Sequence, residues 1–247
     1  MPPHLSIVIP AFNEARRLAP TMAEMAEFAR RISHSMETLI VVERSTDGTL
    51  ELARRLVAEH ATGAHVCTVI DSGVQRGKGH AVRTGMLRAQ GAHVFYMDAD
   101  LSVPLGEVHA FLRHFAEHPG DDVLVGNRQH ANSQIVRAQS WLRRSMGQTF
   151  NRILSALALA EMGDTQCGFK AFRQAACREV FSQQTLDGFA FDVEVLLLAR
   201  RLGFRVTDLP VEWINSPDSH VHIVRDSARM LWDVWRVRQR WGMRNDG

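Results

Sequence analysis

The chain has 247 residues, 45% of them apolar and 23% charged, with a formal net charge of +2. This balance excludes a disordered chain and allows a sizeable core without covalent staples; so small a charge gives no reason to expect a nucleic-acid partner, and no stretch approaches the roughly 18 unbroken apolar residues of a membrane span. Cys67, Cys167 and Cys177 lack metal-ligand spacing and cannot all pair, and Met1-Pro2-Pro3-His4 leads straight into a strand-like segment, so a reducing cytoplasmic setting without a secretory leader is expected.

Leu5 to Pro10 reads as a first strand, after which Leu18, Met22, Met25, Ala29 and Ile32 recur at helical spacing. Thr38 to Val42 is a second strand, and the polar turn Ser45-Thr46-Asp47-Gly48-Thr49 leads into a helix through Leu52, Leu56 and Val57. Val66 to Ile70 is a third strand, and Gln75-Arg76-Gly77-Lys78-Gly79 feeds a helix with Ala81, Val82, Met86 and Leu87. Val94 to Met97 is a fourth strand, followed by a helix with Val108, Phe111, Leu112 and Phe115, then a fifth strand from Asp122 to Gly126. Such alternation predicts an α/β fold, a parallel sheet with helices on both faces. The second half predicts helices at about 136–159, 174–183 and 192–202, a strand at about 204–213 and a last helix at about 222–241. With no repeat, low-complexity tract or linker in view, one domain over 1–247 is expected.

The fourth strand stops at two carboxylates, Asp98 and Asp100. Residues two apart in extended chain point the same way, so both can face one point beyond the strand, where open α/β sheets bind ligands. Two hard oxygen donors there suit Mg²⁺ or Mn²⁺, with water and phosphate completing the shell. Gly77-Lys78-Gly79 is not a Walker A loop, because the following Ser or Thr is absent and the glycine spacing is wrong. A dinucleotide fingerprint is also absent, which argues against a dehydrogenase.

Taken together, several segments resemble family 2 glycosyltransferases of the GT-A fold. Ile9-Pro10-Ala11-Phe12-Asn13-Glu14 is similar to their P-A-Y/F-N-E opening, Ser45 to Thr49 to the end of their D-D-G-S-x-D-G-T segment, Gly77 to Arg83 to their G-K-G-x-A-V-R loop, and Asp98-Ala99-Asp100 to their metal-binding D-x-D. Asp164 to Lys170 and Phe191 to Glu194 resemble the D-T-Q-C-G-F-K and F-D-V-E segments of the dolichyl-phosphate β-glucosyltransferases. The resemblance runs from residue 5 to about 235. It implies a mostly parallel, Rossmann-like sheet with a helical C-terminal part, and an inverting, metal-dependent transfer of a hexose from a nucleotide sugar to a polyprenyl phosphate. UDP-glucose is the favoured donor, with GDP-mannose as the alternative. A soluble transferase with a hydroxyl acceptor and a non-catalytic nucleotide-sugar binder are the competing readings.

By the same resemblance Pro10, Ala11, Asn13 and Glu14 line the nucleotide pocket with Glu43 beside it, while Lys78 and Ala99 lie near the donor. Asp98 meets ribose or metal and Asp100 ligates the metal, with Ser102 close by. Arg128 and Arg143 take the acceptor phosphate, and Gly147 stands where a Ser usually accompanies them. Asp164, Asp192 and Glu194 fall towards the acceptor side, where a hydroxyl acceptor would need one of them as a base. One departure concerns the V-D-D-G-S segment, which here reads Val41-Val42-Glu43-Arg44-Ser45 and leaves the base unassigned. His220 and His222 are a close pair, read as surface histidines rather than metal ligands. From Arg225 to Arg244 six arginines and two aspartates alternate with Trp232, Trp235 and Trp241. An amphipathic basic helix of that kind suits either a membrane interface, making the protein peripheral on the cytoplasmic face, or packing on the domain.

Overall fold

Neighbouring strand residues go to opposite faces of one sheet, as they must when both faces are buried. The computed structural model describes residues 3–130, 133, 135–137, 164–214, 232–237 and 239–240. In β1 (Leu5–Ala11) Val8 enters one core, and Ile7 and Ile9 enter another. In β4 (His93–Tyr96) Val94 and Tyr96 join Val8, whereas Phe95 joins Ile7. Helices α3 (Lys78–Arg88), α5 (Gln174–Gln183) and α6 (Phe191–Arg201) close the first core. Helices α1 (Ala15–Arg31) and α4 (Glu107–Glu117) close the second, and α1 with α2 (Thr49–His60) covers a third cluster against β2 (Met36–Val42). On α1 the buried Leu18, Met22 and Met25 form one stripe. Each such side chain contributes about 1.5–3 kcal/mol on leaving water.

The main sheet has seven strands in the order β3-β2-β1-β4-β7-β5-β8, with β3 at His65–Asp71, β5 at Val123–Asn127, β7 at Lys170–Arg173 and β8 at Val206–Pro210. From β1 the chain steps outwards through β2 to β3, then returns to place β4 on the other side of β1. Connections therefore diverge at the carboxyl ends of β1 and β4, and a crevice opens there.

Three expectations change. The sheet is mostly parallel, as the resemblance implies, but the wholly parallel sheet read from the strand–helix alternation changes, because β7 runs antiparallel between β4 and β5. At four residues, and containing Lys170 and Arg173, β7 has no apolar run to announce it. The strand read at 204–213 is two strands: β8 pairs with β5, and β9 (Trp213–Ile214) pairs with β6 (Ile135–Arg137) in a separate two-stranded sheet. Between them the buried Val211 joins the second core. The helix read from 136 thus has its first residues in β6; residues 138–163, with Arg143 and Gly147, lie outside the described residues. So do His220 and His222, while 232–237 and 239–240 are helical.

At the amino ends of β1 and β4 three histidines meet. His4 stacks on His34 with ring centroids 4.2 Å apart, and His93 lies 5.0 Å from His4 and 5.0 Å from Phe115. Burial, aided by His4, pushes the His93 imidazole down from 6.5 to about 4. Burial and His34 lower His4 in the same direction. Between those values the unfolded chain binds more protons than the folded one, so the stability is complete above pH 6.5 and is lost as pH falls towards 4. His93→Phe is expected to flatten the decline of the urea midpoint across that window. An unchanged decline would assign the acid loss to other groups.

Candidate active site

The site begins where β1 turns into α1. Asn13 sits in the left-handed region at φ 56, a conformation Asn tolerates better than most residues. Its amide donates to Ser45 Oγ at 3.1 Å, and its Oδ1 accepts from the Thr46 amide at 2.9 Å. Asp47 accepts from the amides of Ala15 at 3.0 Å and Thr49 at 3.1 Å, serving the first turns of both α1 and α2. Burial works against its ionisation, but the Thr49 hydroxyl and these amides prevail and hold its carboxyl below the usual range. The Ser-Thr-Asp-Gly-Thr segment is therefore a clamp between two loops.

Pro10 is half-buried and Ala11 buried at the end of β1, where Glu14 follows. Glu14 pairs with Arg17 at 2.6 Å, and Arg17 reaches Asp100 at 3.5 Å. Burial pushes the Glu14 carboxyl up to about 7; Arg17 opposes this, and Asp100 and Asp98 add to it. Arg17 carries no signal in the sequence beyond its position, three residues into a helix, and only the fold turns it towards Asp100.

Beyond β4, Asp98 Oδ1 lies 2.6 Å from Lys78 Nζ. Burial disfavours the Lys78 ammonium, but Asp98 and then Asp192 outweigh it and raise Lys78 to about 12. Asp100 Oδ1 accepts from the Ser102 amide at 3.0 Å and its hydroxyl at 2.7 Å, which aims the carboxylate. Ala99 is buried between them, its carbonyl accepting from Thr21 Oγ1 at 2.5 Å. A side chain at Gly168 would meet Asp98, since a Cβ there falls 2.1 Å from Oδ2. The glycine of the Cys167-Gly168-Phe169 segment thus makes room for the Asp98 carboxylate.

Among the described residues no three His, Cys, Asp or Glu side chains converge on one point as a closed cage. β4 stops at Tyr96 and the chain turns at Ala99 and Asp100, with the Leu101 amide donating to the Asp98 carbonyl at 3.2 Å, so the extended-chain alternation expected to aim both carboxylates the same way does not hold. Two carboxylates on such a turn are still a donor set that Mg²⁺ or Mn²⁺ takes when phosphate and water supply the remaining ligands. The residues present therefore fit such an ion. Lys78 and Arg17, on either side, fit the phosphates.

Glu43 is buried, and its carboxylate accepts from the amides of Arg76 at 3.0 Å and Gly77 at 2.8 Å and faces His80 Nδ1 at 2.9 Å. It is thus engaged with the glycine loop beside the place expected for the nucleotide.

The residues expected on the acceptor side include two ion pairs, one buried on both sides and one whose arginine is partly exposed. Arg128 grips Asp164 through Nε at 2.6 Å and Nη2 at 2.9 Å, its own amide adds a third bond at 3.1 Å, and its guanidinium lies 5.7 Å from the Trp213 ring. Burial opposes ionisation of Asp164, and the Arg128 charge more than offsets it, holding the carboxyl down. Asp192 accepts from Tyr96 Oη and Lys170 Nζ, both at 2.5 Å, and Lys170 also donates to the Cys167 carbonyl at 2.7 Å. Burial and the Asp192 charge keep the Tyr96 phenol protonated well above its usual range. Glu194 accepts from the amides of Thr185 at 3.0 Å and Leu186 at 2.7 Å. Asp164, Asp192 and Glu194 are each occupied by protein groups.

The family model for glycosyl transferase family 2 matches residues 6–181. A dolichyl-phosphate beta-glucosyltransferase of Drosophila melanogaster is 31% identical over 218 residues, which cover 85% of this chain and 66% of that protein. The Saccharomyces cerevisiae protein of the same name is 29% identical over 246 residues, covering 95% of this chain and 74% of its own length. The chain thus spans just under two-thirds of the first relative and about three-quarters of the second. Among solved structures, glucosyl-3-phosphoglycerate synthase from Mycobacterium tuberculosis in complex with Mn²⁺, UDP and glucosyl-3-phosphoglycerate has a similar fold. The TM-score is 0.63 at 16% identity, covering 99% of this chain and 82% of that one.

Proposed function

Because this chain belongs to glycosyl transferase family 2, we propose that it is an inverting, metal-dependent hexosyltransferase of GT-A fold that moves glucose from UDP-glucose to a polyprenyl phosphate of the dolichyl type. The observation that carries this reading is the open pair of carboxylates at the β1/β4 crevice, Asp98 on Lys78 at 2.6 Å and Asp100 beside Arg17 at 3.5 Å. The names of the relatives supply the sugar and the lipid phosphate.

Asp98 and Asp100 would hold Mg²⁺ or Mn²⁺. Such an ion, when bound, neutralises charge developing on the departing nucleoside diphosphate. Lys78 lies in the same crevice and binds the diphosphate by charge, while Asn13 and Ser45 keep the β1 corner in shape around the nucleotide. An acceptor phosphate oxygen forms the new bond to the anomeric carbon as the bond to the diphosphate oxygen breaks on the opposite face, which gives a β-linked product from an α-linked donor. A phosphate monoester with a second pKa near about 6 is already an anion at neutral pH and gives up no proton in this step. That chemistry suits a site whose three acceptor-side carboxylates are spent on Arg128, on Lys170 with Tyr96, and on the 185–186 amides. A hydroxyl acceptor would require one of them to be free as a base. Arg128 retains Nη1 beyond its two bonds to Asp164, and that edge is the one we assign to the acceptor phosphate.

The donor is tested by thermal shift with UDP-glucose and GDP-mannose, each with and without Mn²⁺, since ligand bound to the folded state raises its midpoint. UDP-glucose with Mn²⁺ is expected to give the larger rise; a rise from GDP-mannose alone would exchange the donor, and no rise with either would remove the reading.

A lipid acceptor also calls for contact with a membrane surface, and we place the protein on the cytoplasmic face. No helix among the described residues is long and apolar enough to cross a bilayer. On helical residues 232–237, Val234 and Val237 pack into the first core, while Trp232 and Trp235 stack at 5.1 Å and are 59% and 46% exposed. Trp232→Ala with Trp235→Ala is expected to reduce binding to anionic vesicles about tenfold or more, the loss of two buried aromatics from the interface. Raised salt should weaken the intact protein in the same assay. Undiminished binding by the double variant would leave the tryptophans without a membrane role.

A further inference from the structure

Glu43 stands at the second carboxylate of the V-D-D-G-S segment that its stretch resembles, and its carboxylate is turned into the protein. It is 3% exposed, and its backbone amide is fixed on the Ala11 carbonyl at 3.0 Å. The groups it holds bracket Lys78: the amides of Arg76 and Gly77 before it, at 3.0 and 2.8 Å, and His80 Nδ1 after it, at 2.9 Å. Gly77 has φ 128, a conformation side chains rarely adopt, so this turn needs both a glycine and an external hold. From below, the His80 amide donates to the Asp187 carbonyl at 3.2 Å, Arg76 pairs with Asp187 at 2.7 Å, and Gln184 Nε2 donates to the Gly79 carbonyl at 3.0 Å. At the top of the turn Lys78 reaches Asp98.

We infer that Glu43 is a positioning residue for the Gly77-Lys78-Gly79 turn: it sets Lys78 against Asp98 and the donor diphosphate and does not touch the nucleoside. The end of β2 then offers the base no free carboxylate, because Val42 is 1% exposed and both oxygens of Glu43 are bonded. Base selection falls to other residues. This rests on the donor reading above, in that a diphosphate is what the turn is set to receive.

The test is calorimetric binding of UMP and UDP, in Mn²⁺, to the wild type, Glu43→Ala, Lys78→Ala and the double variant. Native-state hydrogen exchange of the Arg76 and Gly77 amides accompanies it. Glu43→Ala should weaken UDP about ten- to hundredfold, the loss of charged hydrogen bonds, while UMP, which lacks the second phosphate, loses much less. In the Lys78→Ala background the added loss should vanish, as it must for a residue acting through another. Exchange protection of both amides should fall in Glu43→Ala and return in Glu43→Gln, whose amide oxygen still accepts. Equal weakening of UMP and UDP, or a full loss that persists without Lys78, would put Glu43 on the nucleoside and overturn the proposal. Should Glu43→Ala not fold, Glu43→Asp serves, since it keeps the charge but loses the reach to the amides. The same diphosphate-selective loss is expected, and wild-type affinity would overturn the proposal. A wild type that does not bind UDP would instead remove the donor reading itself.

Discussion

Asp100→Ala is expected to lower transfer on the order of 10³-fold while leaving the folded state intact. The loss follows from what the carboxylate faces. It lies in the turn that follows β4, is aimed by the Ser102 amide and hydroxyl, and stands near Arg17 and outside the apolar cores. Removing it takes away half of the donor set that holds a divalent ion, and with it the electrostatic stabilisation of the leaving diphosphate, a kind of contribution worth about 10²–10³ in rate or more. Stability should change little. The hydrogen bonds from Ser102 are half-buried and contribute about 0.5–1.5 kcal/mol each, and losing an anion beside Asp98 and Glu14 relieves repulsion. Ser102→Ala keeps the carboxylate and should cost only a fraction as much in rate. Chelating the wild type should reproduce the Asp100→Ala rate. Full turnover by the variant in excess chelator would remove the ion from the mechanism.

The second large effect is expected at the Arg128–Asp164 pair, on two observables at once. Asp164 is buried and accepts from two guanidinium nitrogens and the Arg128 amide, at 2.6, 2.9 and 3.1 Å. Removing Arg128 strands the buried Asp164 charge, which costs about 3–5 kcal/mol, whereas removing Asp164 leaves a partly exposed guanidinium at a smaller cost. Arg128→Ala and Asp164→Asn should therefore both lower the urea midpoint. Replacing both together, as Arg128→Met with Asp164→Leu, should recover most of that stability, because no charge is left unpaired. The KM for the acceptor should stay high in the double variant, and the affinity for the donor should stay near that of the wild type. A double variant with wild-type acceptor KM would assign the pair to folding alone. Equal losses towards donor and acceptor would move Arg128 into the donor site.

The first, second and fourth strands were legible because each carries its own apolar run, and each run stops at or near a residue singled out for its chemistry, Pro10, Glu43 or Asp98. The crevice was legible because Asp98 and Asp100 follow closely on a strand end, where such sheets meet ligands; the turn at Ala99 and Asp100 was not. Partnership was not legible. Nothing local in Asp164 says that a guanidinium 36 residues earlier takes both its oxygens. Nothing in Lys170 says that it is buried against an Asp192 22 residues later, and so the strand that carries it was missed. Arg17 reads as one more helical arginine until the sheet brings Asp100 to it. Glu43 shows the same limit most sharply. Its residue type and position suggested a ligand contact, and only the path of the 76–80 turn shows the carboxylate facing inwards. Contacts over long sequence separations decide such matters, and spacing carries no record of them.

The account turns on the identity of the acceptor, and one assay reaches it directly. The protein is given radiolabelled UDP-glucose and Mn²⁺ together with either a polyprenyl phosphate or the matching polyprenyl alcohol in the same mixed micelles. Label should pass to the phosphate alone, into a mild-acid-labile lipid, with the rate lost on chelation. Transfer to the alcohol, with the phosphate inert, would contradict the account and make one of the acceptor-side carboxylates a base after all.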